Sequence, residues 1–223
     1  IAQPALAEST ALAYWGYTTA AALIVVALLS PVLGSIADHY RAKKKFLAFF
    51  AGMGVLFTAL LFFMRQGDWQ LTTAVFIPAY VGFGGSLVFY DSLLPHIAEE
   101  GGADRLSASA YAFGYLGGGV LLVVNVIWIT FHDTFGMTQG MATRLALLSV
   151  ALWWLVFSIP VFRYVDEPEA EDGAIVDDDE TTIEAVRASY GRLRETFSDI
   201  RQYRQLFIFL LAFWLYADGI GTI

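Results

Sequence analysis

The sequence contains no cysteine among its 223 residues. This absence excludes a disulfide framework, a thiolate metal site and a catalytic thiol. Histidine is also scarce, and the three histidines (His39, His96 and His132) all fall near the ends of apolar stretches. We therefore assign them no metal role, and we expect no cofactor and no nucleic-acid partner.

Charged residues are few as well. They make up 15% of the chain against 57% hydrophobic residues, and the mean hydropathy is +0.59. This composition excludes an ordinary soluble domain. A helix needs roughly 20 mostly apolar residues to cross about 30 Å of hydrocarbon. Six stretches meet that requirement, near Ala11–Ile36, Phe46–Met64, Leu71–Leu94, Ser107–Phe131, Thr143–Phe162 and Leu206–Ile223.

These spans must be helices, because a backbone in lipid satisfies its own hydrogen bonds and barrel strands would be shorter and polar on one face. The predicted fold class is all-α, that of a polytopic membrane protein. If the loop Arg41–Lys45 is inside, 11 of the 13 lysines and arginines lie inside, and only Arg65 and Arg144 lie outside. Cytoplasmic loops carry such an excess. The segments 37–45, 95–106 and 163–205 are therefore predicted to be cytoplasmic, with the chain in the cell membrane if its source is prokaryotic.

The net charge of −8 comes from one stretch, Asp166–Glu180, which holds nine of the 21 acidic residues and no base. So polar a run cannot bury enough apolar area to order itself, which predicts a solvated linker over 166–180. A binding tail and an adaptation to a salty cytoplasm are the alternatives. The predicted organisation is a transmembrane bundle over 1–165, this linker, an amphipathic helix over 181–205 and the start of a second bundle over 206–223.

The segment 181–205 carries apolar residues at spacings of three and four, which draws one apolar stripe on a basic helix. Such a helix on the cytoplasmic side lies in the headgroup interface. A connector that braces two halves of a transporter is compatible with that position, and a calmodulin-type target is the alternative.

The loop Gly34–Lys45 has a glycine, three residues, an aspartate and then a basic cluster between two spans. It resembles the signature loop of the major facilitator superfamily. Three further stretches are similar to the branch that contains the autophagy-linked vacuolar amino-acid effluxers and their prokaryotic relatives. They are the residues around Phe89–Ala98, Gly-Tyr-Leu-Gly-Gly-Gly at 114–119 and Tyr-Ala-Asp-Gly at 216–219. The resemblance implies a major facilitator helical bundle of twelve helices, of which we expect this chain to hold helices two to seven.

The resemblance also implies a gate at the inner surface, formed by Gly34, Asp38, Arg41 and Asp91. A carboxylate near a helix end pairs with a cation or accepts from the start of another helix. Asp91 lies near the inner end of its span if the topology holds, within reach of Arg41. We expect an Asp38–Arg41–Asp91 network to hold one conformation and to release in the other; the alternative is that these are ordinary interfacial charges.

Ionisable residues inside spans are costly and indicate function by default. Asp218, with Tyr216 two residues before it, is the candidate proton carrier or counter-ion for a substrate amine. A hydrated helix end is the alternative role for Asp218. Asn125 is the other polar residue inside a span, and it either bonds a neighbouring helix or lines a cavity.

Two successive predicted helices are rich in glycine. The residues that we expect at close, sliding helix contacts are Gly84, Gly85, Gly114, Gly117, Gly118 and Gly119. The predicted function is secondary active transport of a small solute by alternating access, in a lipid bilayer and with coupled protons, and the resemblance implies amino acids as substrates. The chain is not expected to be an enzyme. An intramembrane aspartyl protease using Asp91 and Asp218, and a non-transporting scaffold, are the alternatives.

Overall fold

The structure is a computed structural model that describes residues 8–39, 43–65, 67–97 and 102–166, together with isolated positions between 191 and 215. The first four ranges form α1 (Glu8–His39), α2 (Lys43–Leu60), a 3₁₀ turn (Leu61–Phe63), α3 (Trp69–Ile97), α4 (Ala103–Thr130) and α5 (Gln139–Tyr164). No strand occurs in these ranges. The predicted all-α class of a polytopic membrane protein is confirmed.

All five helices are long and apolar enough to cross a membrane. Each coincides with a predicted span and most extend it by a few residues, because the polar residues that flank an apolar core continue the helix into the interface. The helices belong to the first of two compact units in the chain, Ile1–Ala174, and the second unit is Ile175–Ile223. The predicted linker, amphipathic helix and sixth span fall almost wholly outside the described residues, so the domain boundaries stay predictions.

The core is centred on α3, which packs extensively against α1 and α2. Phe89 and Leu93 of α3 are fully buried. The rings of Phe46 and Phe50 on α2 stack on Phe89, with centroids 5.2 and 5.7 Å away. The buried cluster is completed by Leu33 of α1 and Leu47 of α2. These contacts make α1, α2 and α3 one packed layer.

Most apolar side chains outside that layer face outward, as expected where lipid replaces water as the solvent. Helix α4 is the extreme case, since none of its described side chains is buried. It contacts α5 and touches α3 only slightly. The described helices therefore leave an open space between α3 and α4.

Two short turns join α2 to α3 and α4 to α5. In the first, the Asp68 carboxylate accepts a hydrogen bond from the Arg65 amide at 3.1 Å. In the second, Gly136 has a φ of +68°, a left-handed conformation that favours glycine. The Thr138 hydroxyl then caps α5 by accepting from the Met141 amide at 3.3 Å. Such short turns make the helices that they join antiparallel neighbours.

Candidate functional site

The first turn of α2 is tied to the end of α3 through Lys43. Its Nζ lies 3.2 Å from His96 Nε2 and 3.5 Å from the Ser92 carbonyl oxygen. These two contacts join the start of α2 to the last turn of α3.

The same turn is tied to the end of α5 through Lys44. Its Nζ donates to the carbonyl oxygen of Phe162, 3.1 Å away, and to that of Val165. The last carbonyl groups of a helix lack partners within the helix and carry partial negative charge, so a cation there stabilises the helix end. The start of α2 and the ends of α3 and α5 thus lie together at one end of the bundle, as the predicted topology requires.

A cavity of about 700 Å³ lies between α3 and α4 at this end. The α3 wall consists of Phe83, Leu87, Tyr90, Asp91 and Leu94. The α4 wall consists of Ser107, Ala110, Tyr111, Gly114 and Tyr115. Spacings of three and four residues place each set on one face of its helix. The volume falls within the range typical of small-molecule sites.

Asp91 is the one charged side chain among the ten residues that line this cavity. No described residue donates a hydrogen bond to its carboxylate. Gly34 lies within α1, and a Cβ there would meet no atom within 4 Å. Arg41 and the side chain of Asp38 fall outside the described residues. The Asp38–Arg41–Asp91 gate therefore stays a prediction, with the position of Asp91 at the cavity as its described part.

A sequence profile of the family described as Vacuole effluxer Atg22 like matches residues 4–223. The chain belongs to this Atg22-like family. It is 36% identical over 222 residues to the uncharacterized MFS-type transporter YxiO of Bacillus subtilis strain 168, a match that covers 97% of this chain and 49% of that protein. The resemblance to the effluxer branch of the major facilitator superfamily is confirmed.

Two fungal proteins named autophagy-related protein 22 are more distant. The one from Coccidioides immitis strain RS is 25% identical over 268 residues, covering 93% of this chain and 43% of that protein. The one from Yarrowia lipolytica strain CLIB 122 / E 150 is 26% identical over 277 residues, covering 93% and 46%. The chain thus spans about half the length of the curated relatives it matches. No solved structure matches it.

Asn125 of this Atg22-like chain lies within α4 and faces α5. Its Oδ1 accepts a hydrogen bond from the Ser149 hydroxyl at 3.0 Å. Asn125 is not among the residues that line the α3–α4 cavity. The contact is the kind of interhelical hydrogen bond that polar residues form in membranes.

The glycines of α3 lie at close helix contacts. A Cβ at Gly84 would lie 2.6 Å from a methyl carbon of Val26 on α1. A Cβ at Gly85 would lie 2.8 Å from Cγ of the Phe50 ring on α2 and closer still to a neighbouring ring carbon. Because normal carbon contacts are longer than about 3.4 Å, only glycine fits these positions without a shift. They set how closely α3 approaches both neighbours.

The glycines of α4 lie in a different environment. A Cβ at Gly114, Gly118 or Gly119 would meet no atom within 4 Å, and one at Gly117 would lie 3.8 Å from the Trp153 ring. Their predicted role in packing therefore has no partner among the described residues, apart from that ring. What Gly114 contributes in the described structure is space in the wall of the cavity.

The tyrosines in the α4 wall of the cavity carry a signal in the sequence itself. Tyr111 and Tyr115 lie four residues apart and hence on one helix face, beside Gly114. The lysine contacts to helix ends carried no such signal, because they join residues about 50 to 120 positions apart. Asp218 and Tyr216 fall outside the described residues. Within the described part of the chain, no group of His, Asp or Glu side chains is arranged to hold a metal.

A smaller cavity of about 250 Å³ lies between α1 and α3 at the opposite end of the bundle. The hydroxyls of Thr18 and Thr73 lie 3.2 Å apart across it. The rings of Tyr14 and Trp69 pack with centroids 4.7 Å apart. Aromatic side chains of this kind collect where a membrane meets water, which places this end of α1 and α3 at the second interface.

Proposed function

We propose that this chain forms part of a secondary active transporter that moves amino acids across a membrane by alternating access. The observation that carries the proposal is membership in the effluxer family over residues 4–223. A relative named as an MFS-type transporter supports it. Five apolar helices with a cavity at one end supply the expected setting. Under this proposal the protein rearranges around a solute and catalyses no covalent reaction.

The loop between α1 and α2 acts in this proposal as the inner gate. Lys43 and Lys44 hold the start of α2 against the ends of α3 and α5, so these three helix ends move as one body. Asp38 and Arg41 then supply the switch, which closes on Asp91 at the edge of the cavity. Because the lysine contacts persist while the Asp38–Arg41 contact forms and breaks, the helix ends move as a rigid body, as alternating access by rocking requires.

Asp218 and Tyr216 form the second proposed site. An acidic residue inside a span serves as a proton carrier or as the counter-ion of a substrate amine. Coupling to protons would let a pH gradient drive the solute. The bilayer, the solute and the proton are thus the three partners of the proposed transporter.

The test is solute flux in proteoliposomes that hold the full-length protein, with radiolabelled amino acids and an imposed pH gradient. We expect saturable accumulation of at least one amino acid, which a protonophore abolishes. Asp218→Asn should abolish it too, whereas Asp104→Asn, in the exposed first turn of α4, should leave it unchanged.

Empty vesicles provide the background. Absence of accumulation for every amino acid, under either direction of the gradient, would contradict the proposal. Cleavage of a peptide substrate by the same preparation would point instead to the protease alternative.

A further inference from the structure

We propose that the cavity between α3 and α4 binds an organic ammonium group, with Asp91 as its counter-ion and tyrosine rings as its walls. The ligand class is a small primary amine with an aliphatic chain, and an α-amino acid would enter with its ammonium end first. The inference rests on the proposed function for its physiological meaning, since it names the chemistry that the transported solute presents to this site.

The cavity contains one acidic side chain, that of Asp91. Asp91 lies in the last part of the stretch Trp69–Leu94 of α3, which is long and apolar enough to cross a membrane, and an unpaired carboxylate is costly there. No described residue donates a hydrogen bond to it. Among the described residues that line the cavity, none is cationic. A carboxylate in such a position favours a ligand that brings a positive charge and its own hydrogen-bond donors.

Tyrosine rings line the cavity on both of its helices. Tyr111 and Tyr115 are 63% and 79% exposed, and neither ring packs against another ring among the described residues. Tyr90 faces them from α3. Free ring faces on both sides of a carboxylate attract an ammonium group by cation–π interaction. An anion receives no such attraction, because ring faces are negative.

The remaining lining of the cavity gives it apolar surface around Asp91. Gly114 lies between the two tyrosines of α4, and a Cβ there would meet no atom within 4 Å. Leu87 and Leu94 complete the opposite wall on either side of Asp91 along α3. The cavity thus pairs one acidic point with apolar surface above and below it. An aliphatic chain attached to the ammonium group fits that surface.

The test compares three probes that share one alkyl chain: leucine, 3-methylbutylamine and 4-methylpentanoate. Each is titrated by calorimetry into the full-length protein in lipid nanodiscs. We expect 3-methylbutylamine to bind, leucine to compete with it, and 4-methylpentanoate to do neither. Binding of the acid as tightly as the amine would overturn the inference, since the same apolar chain would then suffice.

Variants assign the binding to this cavity. Asp91→Asn should weaken amine binding about tenfold or more, the range for loss of a charge-assisted hydrogen bond. Asp91→Glu should retain most of it. Tyr115→Leu should weaken it about threefold or more, because it removes a ring face and leaves an apolar side chain in its place. Unchanged amine affinity in Asp91→Asn would overturn the inference.

Matched controls separate the site from general effects. Asp104→Asn removes an acid of the same helix pair outside the cavity, and Tyr164→Leu removes an exposed ring at the end of α5. Both should bind the amine as the parent protein does. If Asp91→Asn does not fold, the pair Tyr115→Leu and Tyr164→Leu decides, and equal affinities in the two would overturn the inference.

The outcome is also separate from that of the proposed function. Binding of the amine that depends on Asp91, without flux of any amino acid, would leave the inference standing and contradict transport. Flux of amino acids, together with an amine affinity that is unchanged in Asp91→Asn, would support transport and overturn the inference.

Discussion

Helices α2 and α3 approach each other closely at Gly82 of α3. A Cβ at this position would lie 2.7 Å from the Gly54 Cα and 2.8 Å from the Phe50 carbonyl oxygen, both on α2, and closer still to the Gly54 amide nitrogen. Ordinary contact begins near 3.4 Å, so Gly82→Ala requires the two backbones to move apart by about 1 Å at this point. The atoms in the way belong to the backbone and have no rotamer to change.

The magnitude follows from two opposing terms. Overpacking of a tight contact costs about 1–3 kcal/mol, and a backbone obstacle places Gly82→Ala near the upper value. Alanine gains about 1 kcal/mol over glycine as a helix former. We therefore expect the free energy of unfolding to fall by about 2 kcal/mol.

The control is Gly118→Ala on α4, where a Cβ would meet no atom within 4 Å. Only the helix-former term applies there, so this variant should be more stable by about 1 kcal/mol. The assay is reversible unfolding of the full-length protein in mixed micelles with increasing dodecyl sulfate, followed by tryptophan fluorescence. If Gly82→Ala proves as stable as Gly118→Ala, the close α2–α3 crossing is refuted.

Two further predictions concern contacts between helices. Lys44→Met should lower the free energy of unfolding by about 0.5–1.5 kcal/mol, because two carbonyl groups near the end of α5 lose a donor, whereas Lys45→Met on the exposed side should change it by under about 0.5 kcal/mol. Equal effects of the two variants in the same unfolding assay would contradict the tie between α2 and α5. Asn125→Val and Ser149→Ala should show a coupling energy of about 0.6 kcal/mol in a double-mutant cycle, the average for hydrogen bonds between membrane helices. Additive effects would exclude that bond.

The gate and the ammonium site share Asp91, which links the two proposals. If Arg41 reaches Asp91 as the sequence predicts, its guanidinium and the ammonium of a ligand are alternative partners of one carboxylate. Ligand binding would then release the inner gate. The expected sign is that Arg41→Gln tightens binding of 3-methylbutylamine, because it removes the competitor.

The five described helices were predictable because hydropathy over about 20 residues is a property of composition alone. The spans Ala11–Ile36 and Thr143–Phe162, for example, lie inside α1 and α5. The membrane side of the basic cluster stays a prediction, which rests on the distribution of charge among the loops. Family membership followed from motifs that are local in the sequence.

Partners across helices were not predictable in the same way. Six glycines on two helices looked alike in the sequence, yet Gly84 meets Val26 at close range while Gly118 meets nothing. Periodicity places a residue on a face but does not say which helix lies opposite that face. The same limit applies to Lys44, whose partners at the end of α5 lie about 120 residues away. It also applies to the cavity, which exists because α4 packs on α5 and makes little contact with α3.

We propose that the full-length protein exchanges amino acids across a membrane by alternating access, and counterflow tests this proposal most directly. Proteoliposomes holding the full-length protein are loaded with unlabelled leucine and diluted into a trace of radiolabelled leucine without any ion gradient. A carrier that must return with its solute takes up label transiently above its equilibrium level. We expect that overshoot. If the label only equilibrates, at the same rate with and without internal leucine, the proposal is contradicted.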